Sequence, residues 1–340
     1  MRIFKEDIES VAKSFDEYTL VGITSINPFI EYLDRVNAIK AETKAENRDF
    51  LVKEGHFKRL INPREIMPDA RTIIVLAVYS YDEEGVNVKV REELRGKIAR
   101  TYSYYPVVRI IAEKVAKFLA ERGFKSLYGQ MVPLKLASVR AGLGFQGKNS
   151  LLITKTYGSW VALRAVITNA EIEPDEPYEG AECGKCTACL KACPTGALYQ
   201  PYKVNPKKCI NPITRLPDYI PPEIRRKMDA WLLGCDICQE VCPKNRLLKP
   251  RKRSKYACFQ PEYHESHKHL IDVKENFPKL IPLLKNGKTP VIRRNAAIAL
   301  GNLGDPRALP ALREQLEKEN DFVKPYIAYA IRQIEVSALK

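Results

Sequence analysis

Nine cysteines fall within the 76 positions 183–258, and the 182 residues before them contain none. A disulfide scaffold spreads its cysteines through a small secreted chain, whereas crowding of this kind reads as metal ligation. The first run is Cys183-x2-Cys186-x2-Cys189-x3-Cys193-Pro194. This is the bacterial ferredoxin spacing: three thiolates reach corners of one iron–sulfur cube, and the fourth ligates the other cube. A second set, Cys209 and then Cys235-x2-Cys238-x3-Cys242-Pro243, mirrors the first, with one ligand drawn from 26 residues upstream. Exchange of the ligands before proline assigns Cys183, Cys186, Cys189 and Cys242 to one [4Fe-4S] cluster. Cys193, Cys209, Cys235 and Cys238 then hold the other. A zinc site would need only two such pairs at wider separation. Cys258 is left over and reads as a structural thiol.

Two clusters alone mean one-electron transfer, but the residues ahead of this module are too many for a plain ferredoxin and suggest an electron acceptor. The chain has 340 residues, which favours two or three domains of roughly 100–200 residues each. Hydrophobic content of 45% is enough for a sizeable core. No run of about 18 apolar residues exists, so no membrane span is expected. The start, MRIFKEDIESVAK, has no apolar signal region, which points to the cytoplasm. The net charge of +15 permits a polyanionic partner.

Residues 1–180 read as mixed α/β. Helical spacing marks 7–15, 27–36, 106–123 and the stretch 133–144 that ends in a glycine loop. Strands are expected at 19–24, at 70–81 and after Gly123, with 150–154 and 159–168 as a strand pair around Tyr157-Gly158. No G-x-G-x-x-G follows the early strands, so a Rossmann nucleotide site is unsupported. An acidic connector at 171–180 marks a boundary. Residues 244–256 contain seven basic residues and no acid. From about 274 the pattern is helical and recurs: LIPLL (280–284) returns as LPALR (309–313), and 291–303 returns as 323–334. Two such units resemble HEAT-like repeats and are too few to stand alone.

The chain resembles the epoxyqueuosine reductase family. The resemblance rests on MPDARTIIVLAVYSY, RAGLGFQGKNSLLIT, YGSWVALRAVITN, CGKCTACLKACPTGAL, GCDICQEVCPKN and the terminal repeats. It implies a multidomain α+β chain. The parts are an α/β corrinoid-binding domain (1–178), a ferredoxin-like double [4Fe-4S] module (179–248), and a basic linker with HEAT-like helices (249–340). It further implies cobalamin beside the clusters, reduction of epoxyqueuosine in tRNA, and an external electron donor such as flavodoxin or ferredoxin, in a monomer. None of His56, His264, His267 and His269 fits a D-x-H-x-x-G cobalt-ligand motif, as befits a family that binds base-off cobalamin. Residues carried across as corrinoid neighbours are Arg59, Lys148, Asn149, Leu152, Thr154 and Asp236, with Gly142, Gly144 and Gly147 shaping the loop. The basic run 244–256, with Arg225, Arg226 and Lys227, is expected along a tRNA backbone.

One departure stands out. The family keeps a catalytic aspartate in a V-D-[ST] segment before R-A-G-[LI]-G. Here that place falls on Tyr128, Gly129 or Gln130, and no carboxylate occurs in 123–140. Tyr128 is the candidate substitute acid; related reductive dehalogenases place a tyrosine near their corrinoid. Two alternatives stay open: a paralogous reductase with another substrate, and an electron-transfer or corrinoid-reducing protein without substrate chemistry.

Overall fold

A computed structural model of the chain describes all residues except 1, 35, 38–58, 85–87, 130–131, 181, 258–274 and 339–340. Gln130, Cys258 and the four histidines lie outside the described residues. The regular elements begin with α1 (Lys5–Phe15), β1 (Thr19–Ser25), β2 (Thr72–Tyr79), β3 (Lys97–Ile98), α2 (Thr101–Ala120) and β4 (Ser126–Gly129). Next come α3 (Leu134–Arg140), β5 (Gly144–Gln146), β6 (Leu152–Thr154) and β7 (Val161–Thr168). The cysteine region carries α4 (Ala188–Ala192), α5 (Ile210–Ile213), α6 (Pro222–Arg225), β8 (Trp231–Leu233) and α7 (Ile237–Glu240). The helices α8 (Leu280–Asn286), α9 (Pro290–Leu303), α10 (Leu309–Lys318) and α11 (Lys324–Ala338) follow. Among the described residues no helix is long and apolar enough to cross a membrane.

The chain divides into two compact units: residues 1–79, 107–147 and 151–184, and residues 80–106, 148–150 and 185–340. The first is built on an antiparallel sheet of order β1-β2-β7-β4. Every residue of β2 is buried, so both faces of the sheet are covered. Ile73, Val75, Ala165 and Ile167 share one face with Ala137 and Ala141 from the α3 region. The alternate residues of each strand point to the opposite face. The helix expected from Pro106 starts five residues earlier and carries Pro106 inside it.

The expected pairing of 150–154 with 159–168 does not form. β6 pairs with β5, and β7 lies between β2 and β4. The cause is local. The Thr154 N–H donates to the Gly158 carbonyl at 2.7 Å, and Gly158 has φ +53°, so the two segments meet in one isolated bridge that closes a tight turn.

The second unit has one apolar core shared by three stretches of sequence. Leu94, Ile98 and Tyr102 pack with Ile210, Ile224 and Trp231–Leu233 of the cysteine region, and with Leu280, Leu300, Ile327 and Ile334 of the repeats. β3 and β8 pair in parallel. Gly304, at φ +69°, ends α9, and the Asp305 carboxylate accepts the Arg307 N–H to start the next turn.

Helix α9 is bound to the cysteine module by polar side chains. Arg294 is fully buried and donates to the carbonyls of Leu216 (2.8 Å), Asp218 (2.9 Å) and Ile213 (3.1 Å). Burial pushes its guanidinium down to about 10, still protonated near neutrality, and the rings of Phe322 and Tyr326 lie beside it. Asn295 donates to the Thr214 and Leu232 carbonyls, both at 2.8 Å. Asn302 donates to those of Arg225 and Asp229. Arg294→Met keeps the volume and removes three donors from buried carbonyls. We expect it to cost roughly 2–5 kcal/mol in urea unfolding. A loss below about 0.5 kcal/mol, the range of an ordinary surface change, would mean that water replaces those bonds.

Candidate functional site

The cysteines sit at the ends of very short elements. Cys189 lies on α4, Cys209 caps α5, Cys238 lies on α7, and Cys242 caps a 3-10 turn over Pro243–Asn245. The proline after Cys242 suits the first position of that turn, where no N–H is needed. Helices α4 and α7 pack against each other. Of the eight described cysteines Cys186 alone is exposed; Cys189 and Cys242 are buried and the others half-buried. Burial holds the Cys235 and Cys238 thiols well above their ordinary range. A bare thiolate is disfavoured there, and the positive charge of cluster iron is what would draw the protons off. Among the described residues no three His, Cys, Asp or Glu side chains converge as they would on a single ion. A cube takes one thiolate at each of four irons, so its ligands need no common point.

Asp236, between Cys235 and Cys238, is buried. Its carboxylate accepts the Arg100 backbone N–H at 2.9 Å and the Gln239 amide at 2.8 Å. Burial pushes its carboxyl up to about 7, against the lowering effect of the Arg100 N–H. The Arg100 guanidinium donates to the Asp82 and Glu84 carbonyls at 3.1 and 2.9 Å and lies over the Tyr81 ring. Sequence pattern gave no sign of Arg100, because it is one cation among 56.

The other expected site residues separate into distinct environments. Arg59 is exposed at the edge of the described residues. Lys148 donates from Nζ to the Cys186 carbonyl at 3.1 Å and accepts the Tyr202 N–H through its own carbonyl. Asn149 is buried, and Ser150 beside it has φ +62°. Leu152 and Thr154 are buried in the β5–β6 hairpin; the Thr154 hydroxyl donates to the Gly158 carbonyl and accepts the Tyr157 N–H. Tyr128 lies on edge strand β4 opposite Val166. Burial raises its phenol, and the Glu113 carboxylate of α2, which accepts its hydrogen bond, raises it further. The Arg164 guanidinium lies 5.9 Å from its ring. Glu113 was missed in the sequence because it precedes the family's segment and belongs to no motif.

The basic run 244–256 is not uniformly outward. Arg251 is 7% exposed, under the Tyr104 ring. Arg253 pairs with Asp82 at 3.2 Å and with Glu84, and donates to the Asn276 side chain at 3.0 Å. Asp82 also accepts the Tyr104 hydroxyl at 3.0 Å. These two arginines therefore cannot serve a phosphate backbone; Lys244, Arg246, Lys249, Lys252 and Lys255 are exposed. Arg225, expected on the same surface, is buried over the Tyr219, Tyr326 and Tyr329 rings. The physical reason is alike at the two places: buried Asp82 with half-buried Glu84, and the tyrosine rings, take cations from the nearest segment. Arg253→Glu would set a third carboxylate against Asp82 and Glu84, and should cost roughly 3 kcal/mol or more in unfolding free energy. Lys252→Glu next to it should stay within about 0.5 kcal/mol. Equal effects of the two would contradict the assignment.

Comparison with known proteins places these features together. The 4Fe-4S double cluster binding domain matches residues 182–245, and HEAT repeats match residues 269–334. Epoxyqueuosine reductase of Bacillus subtilis (strain 168) is 31% identical over 361 residues, covering 93% of this chain and 92% of that protein. The solved epoxyqueuosine reductase of Streptococcus thermophilus superposes with a TM-score of 0.80 at 28% identity, over 97% of this chain and 90% of that one. Another, an epoxyqueuosine reductase solved with an epoxyqueuosine-modified tRNA-Tyr stem loop, superposes with a TM-score of 0.70 at 27% identity, over 97% and 98%. With paired cluster motifs, α/β sheet and helical repeats all matched along nearly its whole length, the chain belongs to the epoxyqueuosine reductase family.

Proposed function

We propose that this protein reduces epoxyqueuosine to queuosine in tRNA, as an iron–sulfur oxidoreductase that works with cobalamin. The observation that carries the reading is end-to-end kinship to epoxyqueuosine reductases, together with a double-cluster module that shares its core with the repeats. Removing an epoxide oxygen to leave an alkene takes two electrons and two protons and releases water. Two one-electron clusters suit that stoichiometry. Cobalamin, when bound, supplies the low-potential metal for the reductive step. Its periphery of amides and a phosphodiester calls for hydrogen-bond donors, and Arg59, Lys148 and Asn149 are of that kind. Leu152 and Thr154 act by shaping the β5–β6 hairpin, and Asp236 by holding the ligand loop of one cluster against the Arg100 backbone.

The proton is the chain's own contribution. Tyr128 is protonated near neutrality as any phenol is, and burial together with the Glu113 carboxylate raises it further. With the Glu113 carboxylate orienting it, the hydroxyl can hand a proton to a departing oxygen and take one back from solvent. Lys252 and Lys255, with exposed Lys288 of the repeats, suit the RNA phosphates. The test is anaerobic turnover of a stem loop carrying epoxyqueuosine, read by mass as loss of one oxygen. Reduction of the clusters with no change in the RNA would favour a non-catalytic electron-transfer protein.

Two variants probe the parts. Intact protein should hold about eight irons, and Cys209→Ala about four; four in the intact protein would remove the double-cluster assignment. Tyr128→Phe should lower turnover about 10²–10⁴-fold while leaving iron and bound cobalamin unchanged. A wild-type rate in Tyr128→Phe would show that another group or water delivers the proton and that the Tyr128–Glu113 pair serves packing.

A further inference from the structure

One of the two clusters has a ligand at the surface, although its ligands Cys189 and Cys242 are buried. The ligand exchange places Cys186, the one exposed cysteine of the eight described, on the same cluster as Cys242. The four ligands of the other cluster, Cys193, Cys209, Cys235 and Cys238, are all half-buried, and none is exposed. Electron transfer weakens steeply with distance. A protein carrier that cannot enter the fold therefore delivers electrons most directly to the cluster with a ligand at the surface.

The chain around Cys242 has the surface for this. The Cys242 N–H donates to the Gln239 carbonyl at 3.2 Å, and the Asn245 amide donates to the same carbonyl at 2.8 Å. The Arg246 N–H reaches the Pro243 carbonyl and the Leu248 N–H the Asn245 carbonyl, at 3.3 and 3.1 Å. This braced turn holds Leu247 90% exposed, the most exposed large hydrophobic residue among those described, and Val241 is 38% exposed. Around them stand the exposed cations Lys244, Arg246 and Lys249, and Glu240 is the only acid between residues 237 and 255. A small apolar centre with a rim of one sign is the composition of a weak redox encounter surface. RNA phosphates would use the cations but gain nothing from a solvated leucine.

We infer that Val241, Lys244, Arg246, Leu247 and Lys249 form the docking face for an acidic one-electron carrier protein that reduces the cluster held by Cys186 and Cys242. The inference rests on the double-cluster reading above. In each encounter the carrier loses one electron and the cluster passes from the 2+ to the 1+ state, with no bond made or broken. Two encounters supply the two electrons of one turnover.

The test uses reconstituted protein and reduced flavodoxin, an acidic flavin carrier, with dithionite as the small-molecule control. Cluster bleaching is followed by stopped flow. Leu247→Asp, and separately Lys244→Glu with Arg246→Glu, should lower the second-order rate with flavodoxin about tenfold or more, and the wild-type rate should fall with salt. Dithionite reduction and iron content should not change. Unaltered flavodoxin rates in both variants would overturn the proposal while leaving the clusters in place. So would lost affinity for a tRNA stem loop with unaltered reduction, which would give the face to RNA. Wild-type protein without two clusters would remove the underlying reading and this proposal together.

Discussion

Carbonyls of residues 213–232, between Cys209 and Cys235, take donors from elsewhere in the chain, and the structure depends on who supplies them. The helices there, α5 and α6, are four residues long, too short to close more than about a turn of internal hydrogen bonds. Helix α9 supplies the missing donors through Arg294, Asn295 and Asn302. On the other side, the stretch before α2 supplies the Arg100 N–H to Asp236. The repeats are therefore structural parts of the iron–sulfur module. This explains why a pair of repeats, too few for a solenoid, is stable here.

The cysteines differ in solvation: Cys186 is exposed, Cys189 and Cys242 are buried and the other five described are half-buried, with burial holding the Cys235 and Cys238 thiols well above their ordinary range. Burial of a ligand set penalises added negative charge, and N–H donors aimed at the sulfurs counter it. Asp236, drawn toward neutrality by its own burial, adds less negative charge to that region than an ordinary aspartate would. The protein thus distinguishes two clusters of the same chemical type by their surroundings.

The sequence displayed some of this plainly. Ligand spacing is a local covalent constraint, so the eight thiolates could be read without knowing the fold. The repeat at 280–334 was legible because two helix pairs of similar pattern recur, and β2 because eight consecutive apolar or β-branched residues leave little choice. Non-local pairing was not legible. Residues 159–168 carry a strand signal but no label for β2 and β4 as partners. A basic run shows its charge and hides the acids that claim it, so Arg251 and Arg253 read like Lys252. Glu113 lies on a helix whose pattern speaks only of packing, and its meeting with Tyr128 depends on the register of an edge strand.

The shared core of the second unit also joins the fate of its parts. Iron–sulfur cubes are lost to oxygen, and the loops left behind have few internal bonds to keep their shape. Because Leu232 and Leu233 pack in the same interior as Leu300 and Ile327, collapse at the cysteines withdraws support from the helices, and an intact repeat pair cannot persist as a bystander. Loss of a cube would therefore reach the helices as well, and the cysteine segments and the repeats would loosen as one cooperative unit.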